Sequence, residues 1–384
     1  MPGAFGGLLL KNVRPVAFPG RDGDALTDIL VEGGVIAPSK ESAVAAAMIR
    51  DFHGAYLSPA WIDLLAEIAP QNGIVRTVRD GAATGVPILV DAGSSEIGNL
   101  ARCYEGGGRR KRELVLSFLD VGAAAQTGSI RTGQTRLLME SGIDAILGAI
   151  DMYPVAGLAI HATREDADLT LHRQARSLCR ALCLPLFMSF PGHFQTTGGF
   201  FDELAPGDIA AAMFRENGIA EEADTAPLLH ALRRGVFLGL GDGPFLSHRF
   251  VRLLLAEGRL PLLIGGGPEG GGPGAGLSLT LSKMICLGMS LRQAIECVTV
   301  TARRALRLPP ASLEGGEPAE FTLFTAESAD WSFTDAYGDT LRLVRYLMPR
   351  AVYWNGDLSP AAPSLPGRVL RGGVVTRISD ARPA

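Results

Sequence analysis

Cysteine, lysine and histidine are scarce in this chain of 384 residues, and each shortage removes a class of function. The five cysteines, Cys103, Cys179, Cys183, Cys286 and Cys297, are odd in number and scattered. They make no disulfide framework and point to a reducing cytoplasm. Cys179 and Cys183 stand four apart on a predicted helix, but no second thiol pair or neighbouring histidine completes a zinc set, so packing in a core accounts for them. Arginine far outnumbers lysine, and a net charge of −4 gives no general attraction to nucleic acid. The one basic run, Arg109-Arg110-Lys111-Arg112, sits between a glycine-rich turn and a strand and reads as a solvated loop. No apolar run reaches the ~18 residues that a membrane span needs. The start, Met1 to Gly7, lacks the basic segment and cleavage site of a secretory signal. A cytoplasmic protein with no nucleic-acid or membrane partner is expected.

What the chain does have is apolar surface to bury, with 47% hydrophobic residues against 20% charged. It exceeds one average domain and suits an α/β barrel of roughly 250 residues plus a smaller module. Short β-branched or Leu-rich runs alternate with helical patterns. The predicted strands are Trp61–Ile68, Pro87–Gly93, Glu113–Val121, Ala145–Met152, Leu184–Phe190, Asp208–Phe214, Gly235–Gly241 and Leu260–Gly265. The gaps hold helices such as Thr170–Leu182 and Ala226–Arg234. Eight such units close a TIM-like (β/α)8 barrel, expected over residues 59–307. The flanks change to hairpin-like pieces: Leu8–Val16, Ile29–Ile36, Glu320–Phe324, Thr340–Leu347 and Ala351–Trp354, with Asn355-Gly356 as a turn signal. Residues 1–58 and 308–384 are expected to pair into one small β-sandwich built from both chain ends. The Gly/Pro stretch Gly265–Gly276 follows the last barrel strand and reads as a loop over the active-site face. It lacks the Gly-Lys-Ser/Thr ending of a phosphate-binding loop.

Several segments, taken in order, resemble one family: Leu8-Leu9-Leu10-Lys11-Asn12-Val13, Gly54-Ala55-Tyr56-Leu57-Ser58-Pro59, Leu89-Val90-Asp91-Ala92-Gly93-Ser94, Ser282-Lys283-Met284 with Leu287-Gly288-Met289, and Pro318-Ala319-Glu320-Phe321-Thr322. Together they resemble the dihydroorotase-like and deacetylase-like branch of the amidohydrolase superfamily. The resemblance implies one or two divalent metals at the C-terminal mouth of the barrel, lowering the pKa of bound water to ~7 for attack on an amide or ester carbonyl. It also implies a ligand set: His-x-His after strand one, a carboxylated Lys or a Glu on strand four, a His on each of strands five and six, and an Asp on strand eight. Carried onto this sequence, those positions hold Leu65 and Glu67, Ile150, Ser189, Ala212 and Gly267. A further histidine position in the strand-seven turn holds Asp242. None is a family ligand, so these are vestigial positions and no zinc, manganese or nickel is expected.

Losing one outer partner of a metal costs 10–100-fold in affinity or activity, so replacing the whole ligand set should abolish ordinary binding. The leading expectation is a non-catalytic scaffold, regulator or complex subunit, with a protein partner or a second copy and room for a small molecule at the mouth. The competing expectation is a metal-independent or atypical-metal hydrolase of a small cyclic amide or N-acyl substrate. It would use Glu67 and Asp242, ~10 Å apart by strand spacing, with Asp63 and His193 as further candidates. His193 and His161 are expected on the loops after strands five and four, while His172 and His230 should face solvent or the outer layer. No Gly-x-Ser-x-Gly elbow occurs, and Ser247-His248 are only sequence neighbours, so serine chemistry is not expected. Cys286 and Cys297 lie on helices away from the mouth and lack a base.

Overall fold

The computed structural model describes residues 7–16, 25–38, 48–66, 81–93, 97–100, 104, 113–122, 124, 138–161, 169–191, 198–213, 225–241, 246–266, 276–335, 337–361 and 376–377. The chain opens with β1 (Leu8–Pro15), β2 (Thr27–Glu32), β3 (Val35–Ile36), β4 (Met48–Asp51) and β5 (Tyr56–Pro59). It then builds eight parallel strands: β6 (Ile62–Ala66), β7 (Ile88–Asp91), β8 (Leu114–Asp120), β9 (Val155–His161), β10 (Leu186–Pro191), β11 (Ile209–Met213), β12 (Phe237–Gly241) and β13 (Leu262–Gly265). These neighbour one another in chain order, forming a nearly closed (β/α)8 barrel. The late strands β14 (Phe321–Thr334), β15 (Thr340–Trp354), β16 (Asp357–Pro360) and β17 (Thr376–Arg377) return to the first five. The second sheet runs β16-β15-β14-β5-β1-β2-β3, with β4 on β1 and β17 on β14, so both chain ends build the sandwich.

The helices among the described residues are α1 (Gly81–Thr84), α2 (Glu140–Met152), α3 (Thr170–Leu182), α4 (Gly198–Glu203), α5 (Ala226–Arg233), α6 (His248–Ala256), α7 (Leu277–Cys286), α8 (Leu291–Val298) and α9 (Val300–Ala305). Local chemistry sets several ends. The Ser247 side chain accepts from the Phe250 N–H and starts α6, while Ser290 and Gln293 form a reciprocal capping box on α8. Cys183 ends α3 in the left-handed region at φ 55°. None of these helices is long and apolar enough to cross a membrane.

Alternation along the barrel strands divides the core. Ile62, Leu64, Val90, Phe118, Phe187 and Leu263 pack in the cluster inside the barrel, whereas Leu89, Leu119, Ile160 and Met188 join the cluster beneath the helices. Phe118 and Phe187 meet at 5.1 Å between ring centroids and fill the centre, so the barrel is a packed core and not a channel. Each such ring contributes about 1.5–3 kcal/mol by leaving water.

Strand four differs from the sequence expectation. Ala145–Met152 belongs to α2, and the strand is Val155–His161 instead. The physical reason is the period: Gly142, Ile146 and Ala149 are the buried residues of this segment, three to four apart, while Leu147 is exposed. Pro154 then disfavours continuation of the helix, and a strand poor in β-branched residues follows. The far flank also differs, since Thr340–Leu347 and Ala351–Trp354 are one strand running through Pro349. A register shift there absorbs the missing N–H of Pro349. The Asn355-Gly356 turn is as expected, with φ of 50° and 83° between β15 and β16.

Three features tie the architecture together. At the seam between β13 and β6, the Gly266 N–H donates to Asp63 Oδ1 at 2.8 Å. At the N-terminal floor, Arg176 on α3 pairs with Asp208 at 2.6 Å, both nearly buried, and Asp208 also accepts the Leu186 and Ala205 N–H groups. Between barrel and sandwich, the His248 N–H donates to Asp335 Oδ2 at 2.8 Å, and its Nδ1 lies 3.0 Å from the Asp339 carbonyl.

Candidate functional site

Catalytic groups of such barrels sit at the C-terminal ends of the strands. On β9 the phase that places Ala159 inside continues to His161, and on β10 the phase of Phe187 continues to Ser189. Parallel pairing sets Ser189 opposite His161. The two side chains meet, His161 Nδ1 lying 2.6 Å from Ser189 Oγ, while Nε2 lies 3.0 Å from the Gly93 carbonyl oxygen. A carbonyl only accepts, so Nε2 carries a hydrogen. In the neutral ring Nδ1 is then the acceptor, and the Ser189 hydroxyl donates to it. The arrangement needs glycine at 93. Its φ is +85°, and a Cβ there would fall 2.8 Å from His161 Nε2 and 2.7 Å from the Ala159 methyl. One imidazole thus joins the ends of β9 and β10 to the residue just beyond β7.

The positions singled out in the sequence are distributed as follows. Leu65 sits at a register shift on β6, packs against the interior cluster, and touches the spot where a Gly265 Cβ would lie, 2.5 Å from its own Cβ. It forms an apolar rim to the mouth. Asp63 is out of phase with inward Ile62 and Leu64; it is 1% exposed, and its Oδ1 accepts from the Leu65 and Gly266 N–H groups. That makes it a fastener of the barrel seam. Ile150 is a correction: it lies on α2, outside the barrel wall, so the strand-four position belongs to β9, at Ala159 or His161. Ala212 lies on β11 opposite Phe190, and Ile209 and Ala211 are the described residues of that strand in the interior cluster. Ser189 stands near the end of β10, the fifth barrel strand, and is 4% exposed. Glu67, Asp242, His193, Gly267 and the Arg109–Arg112 run lie outside the described residues.

His161 ends a strand rather than occupying a loop, and His172 on α3 is buried where an outward position was expected. His230 is exposed on α5. Ser247 and His248 serve a helix cap and the sandwich contact, so their adjacency carries no chemistry. Burial pushes the Cys179 and Cys297 thiols up to about 12, which removes them as nucleophiles. The sequence reading missed Gly93 as a partner and missed the meeting of Ser189 with His161. The available signal was Asp91-Ala92-Gly93 at the end of strand two.

Among the described residues, the donors at the mouth do not fit the divalent ions the resemblance implies. Leu65, Ala159 and Ala211 have no ligating atom, and Ser189 offers a neutral hydroxyl already engaged with His161. Among the described residues, no three His, Cys, Asp or Glu side chains gather as a metal-binding group.

An eight-stranded barrel carrying a sandwich made of both chain ends defines a fold class, and comparison with known proteins finds the same architecture. No family model matches the chain. It is 28% identical over 382 residues to a deacetylase of Brucella anthropi, covering 94% of each protein. To a deacetylase of Agrobacterium fabrum it is also 28% identical, covering 94% of this chain and 93% of that one. Its structure is similar to that of a dihydroorotase, with a TM-score of 0.75 and 25% identity over 94% of this chain and 99% of that one. It shares its fold with an adenine deaminase at a TM-score of 0.70 and 21% identity, covering 92% of this chain and 99% of that one. These likenesses support the amidohydrolase superfamily.

Proposed function

We propose that this member of the superfamily has lost the metal centre and acts without it, as a scaffold, regulator or complex subunit instead of a metal-dependent hydrolase. The observation that carries the reading is the chemistry of the barrel mouth. The ligand positions on strands one and five hold Leu65 and Ser189, the inward residues of β9 and β11 include Ala159 and Ala211, and His161, the histidine at the mouth among the described residues, is committed to Ser189 and Gly93. An apolar rim and a hydrogen-bonded bridge remove the cost of clustering unpaired imidazoles and carboxylates where no cation balances them. On this reading zinc, manganese and nickel are not resident cofactors. The protein's partners are a second copy, another protein, or a small amide at the mouth.

The test is hydrolysis of N-acetyl amino acids and cyclic amides by protein purified without chelator, with and without added zinc or manganese. The reading predicts no turnover that EDTA stops and metal restores. Chelator-sensitive turnover lost on introducing Leu65→Asp would overturn it. A second reading, metal-independent hydrolysis of a small cyclic amide or N-acyl substrate, is favoured by one observation: the hydroxyl–imidazole contact of Ser189 with His161.

A further inference from the structure

We infer that Ser189 and His161 form an acyl-accepting pair, with Ser189 as the nucleophile, His161 as its base and the Gly93 carbonyl as the group that orients the ring. The inference rests on the metal-free reading of the mouth and gives it a chemistry. Three geometric facts carry it. The hydroxyl and Nδ1 are 2.6 Å apart, within the reach that an activated serine requires. The second ring nitrogen is held at 3.0 Å by a group that only accepts, so the tautomer able to take the serine proton is the one selected. Both side chains stand at the ends of adjacent strands, on the face where barrels of this kind place their chemistry, and rigid strands hold a pair more closely than loops do.

The Gly93 geometry sharpens the case. A positive φ and a blocked Cβ position are both needed to bring that carbonyl to Nε2. Ser189 is nearly buried, and its inward neighbours Ala159 and Ala211 are small, so the acyl group it accepts is small, of acetyl size. In the reaction, Ser189 Oγ attacks the carbonyl carbon of R–CO–X and forms a C–O bond, while its proton passes to His161 Nδ1. The C–X bond breaks, and X departs with that proton as H–X. Water then attacks the acyl-serine, the ester bond breaks, and the acid R–COOH leaves with the serine hydroxyl restored. Water is the only co-reactant.

A structural strap between strands would show the same distances but no covalent chemistry, and a covalent adduct separates the two. The full chain is mixed with p-nitrophenyl acetate, and nitrophenol release is followed together with intact mass and peptide mapping. The pair predicts either acetyl-Ser189 or continuing nitrophenol release, abolished in Ser189→Ala and slowed on the order of 10²-fold in His161→Gln. The Ser189→Cys variant should keep acetylation at position 189, which covers misfolding of the alanine variant. Wild-type protein that gives neither an adduct at Ser189 nor turnover overturns the pair. So does acetylation or turnover that persists unchanged in folded Ser189→Ala. The two proposals fail separately: chelator-sensitive turnover defeats the metal-free reading, whereas an inert Ser189 in metal-free protein defeats only the pair.

Discussion

At the floor of the barrel a full ion pair, Arg176 with Asp208, is buried and backed by two backbone N–H groups. At the mouth, the described polar groups that face each other across the strand ends are the His161 imidazole and the Ser189 hydroxyl, beside the leucine rim at Leu65. Charge is kept where it fastens strands and is absent from the described residues that would hold the family's cations. The N-terminal face of such a barrel bears on stability and the C-terminal face on chemistry. A barrel can therefore exchange its mouth residues while its floor keeps the shape intact. Strand seams follow the same logic, since Asp63 accepts the Leu65 and Gly266 N–H groups and so ties β6 to the residue just past β13.

The largest expected effect breaks the floor. Asp208→Ala leaves Arg176 buried without its carboxylate and should destabilise the fold by about 3–5 kcal/mol in urea unfolding. A loss below about 1 kcal/mol would erase the contrast between the two ends. Next comes Gly93→Ala, which meets both a left-handed backbone and a crowded Cβ site. It should cost about 1–3 kcal/mol and lower acylation of Ser189 together with stability. An unchanged melting temperature would show that the Gly93–His161 contact is not held. Ser189→Ala removes only a hydroxyl and should cost about 1 kcal/mol in the same unfolding assay while eliminating acylation. A large loss of stability with no acylation to lose would mark the contact as a strap.

The smallest effect is on pH. Burial lowers the His248 pKa, against the opposing pull of Asp335, so the unfolded chain binds the proton more readily than the folded one. The stability this represents is fully present above the unfolded value near ~6.5 and is lost as pH falls below it toward the lower folded value. Unfolding curves from pH 7.5 to 5 should show that decline, and His248→Gln should flatten it. An equal decline in the variant would assign the effect elsewhere.

Much of the scaffold was legible because alternation and turn residues are local. Seven barrel strands, the α3 helix and the Asn355-Gly356 hairpin follow from periodicity and backbone preference alone. Strand four was not legible, since Val155–His161 carries Ala and Gly where a strand signal would carry branched residues, and the apolar helix before it mimicked a strand. That single misplacement hid the site. Ser189 was identified as a mouth position, but its partner lies 28 residues earlier and meets it only through parallel register. Asp63 looked like a free carboxylate because sequence does not show which backbone groups a side chain will accept.

Elemental analysis tests most directly whether the mouth of this barrel works without a cation, as proposed. Protein purified without chelator, then incubated with zinc, manganese or nickel and freed of excess ion, is measured by plasma mass spectrometry. Far less than one ion per chain is expected under every loading. One or more ions per chain, retained through gel filtration and lost in Ser189→Ala or His161→Gln, would contradict it.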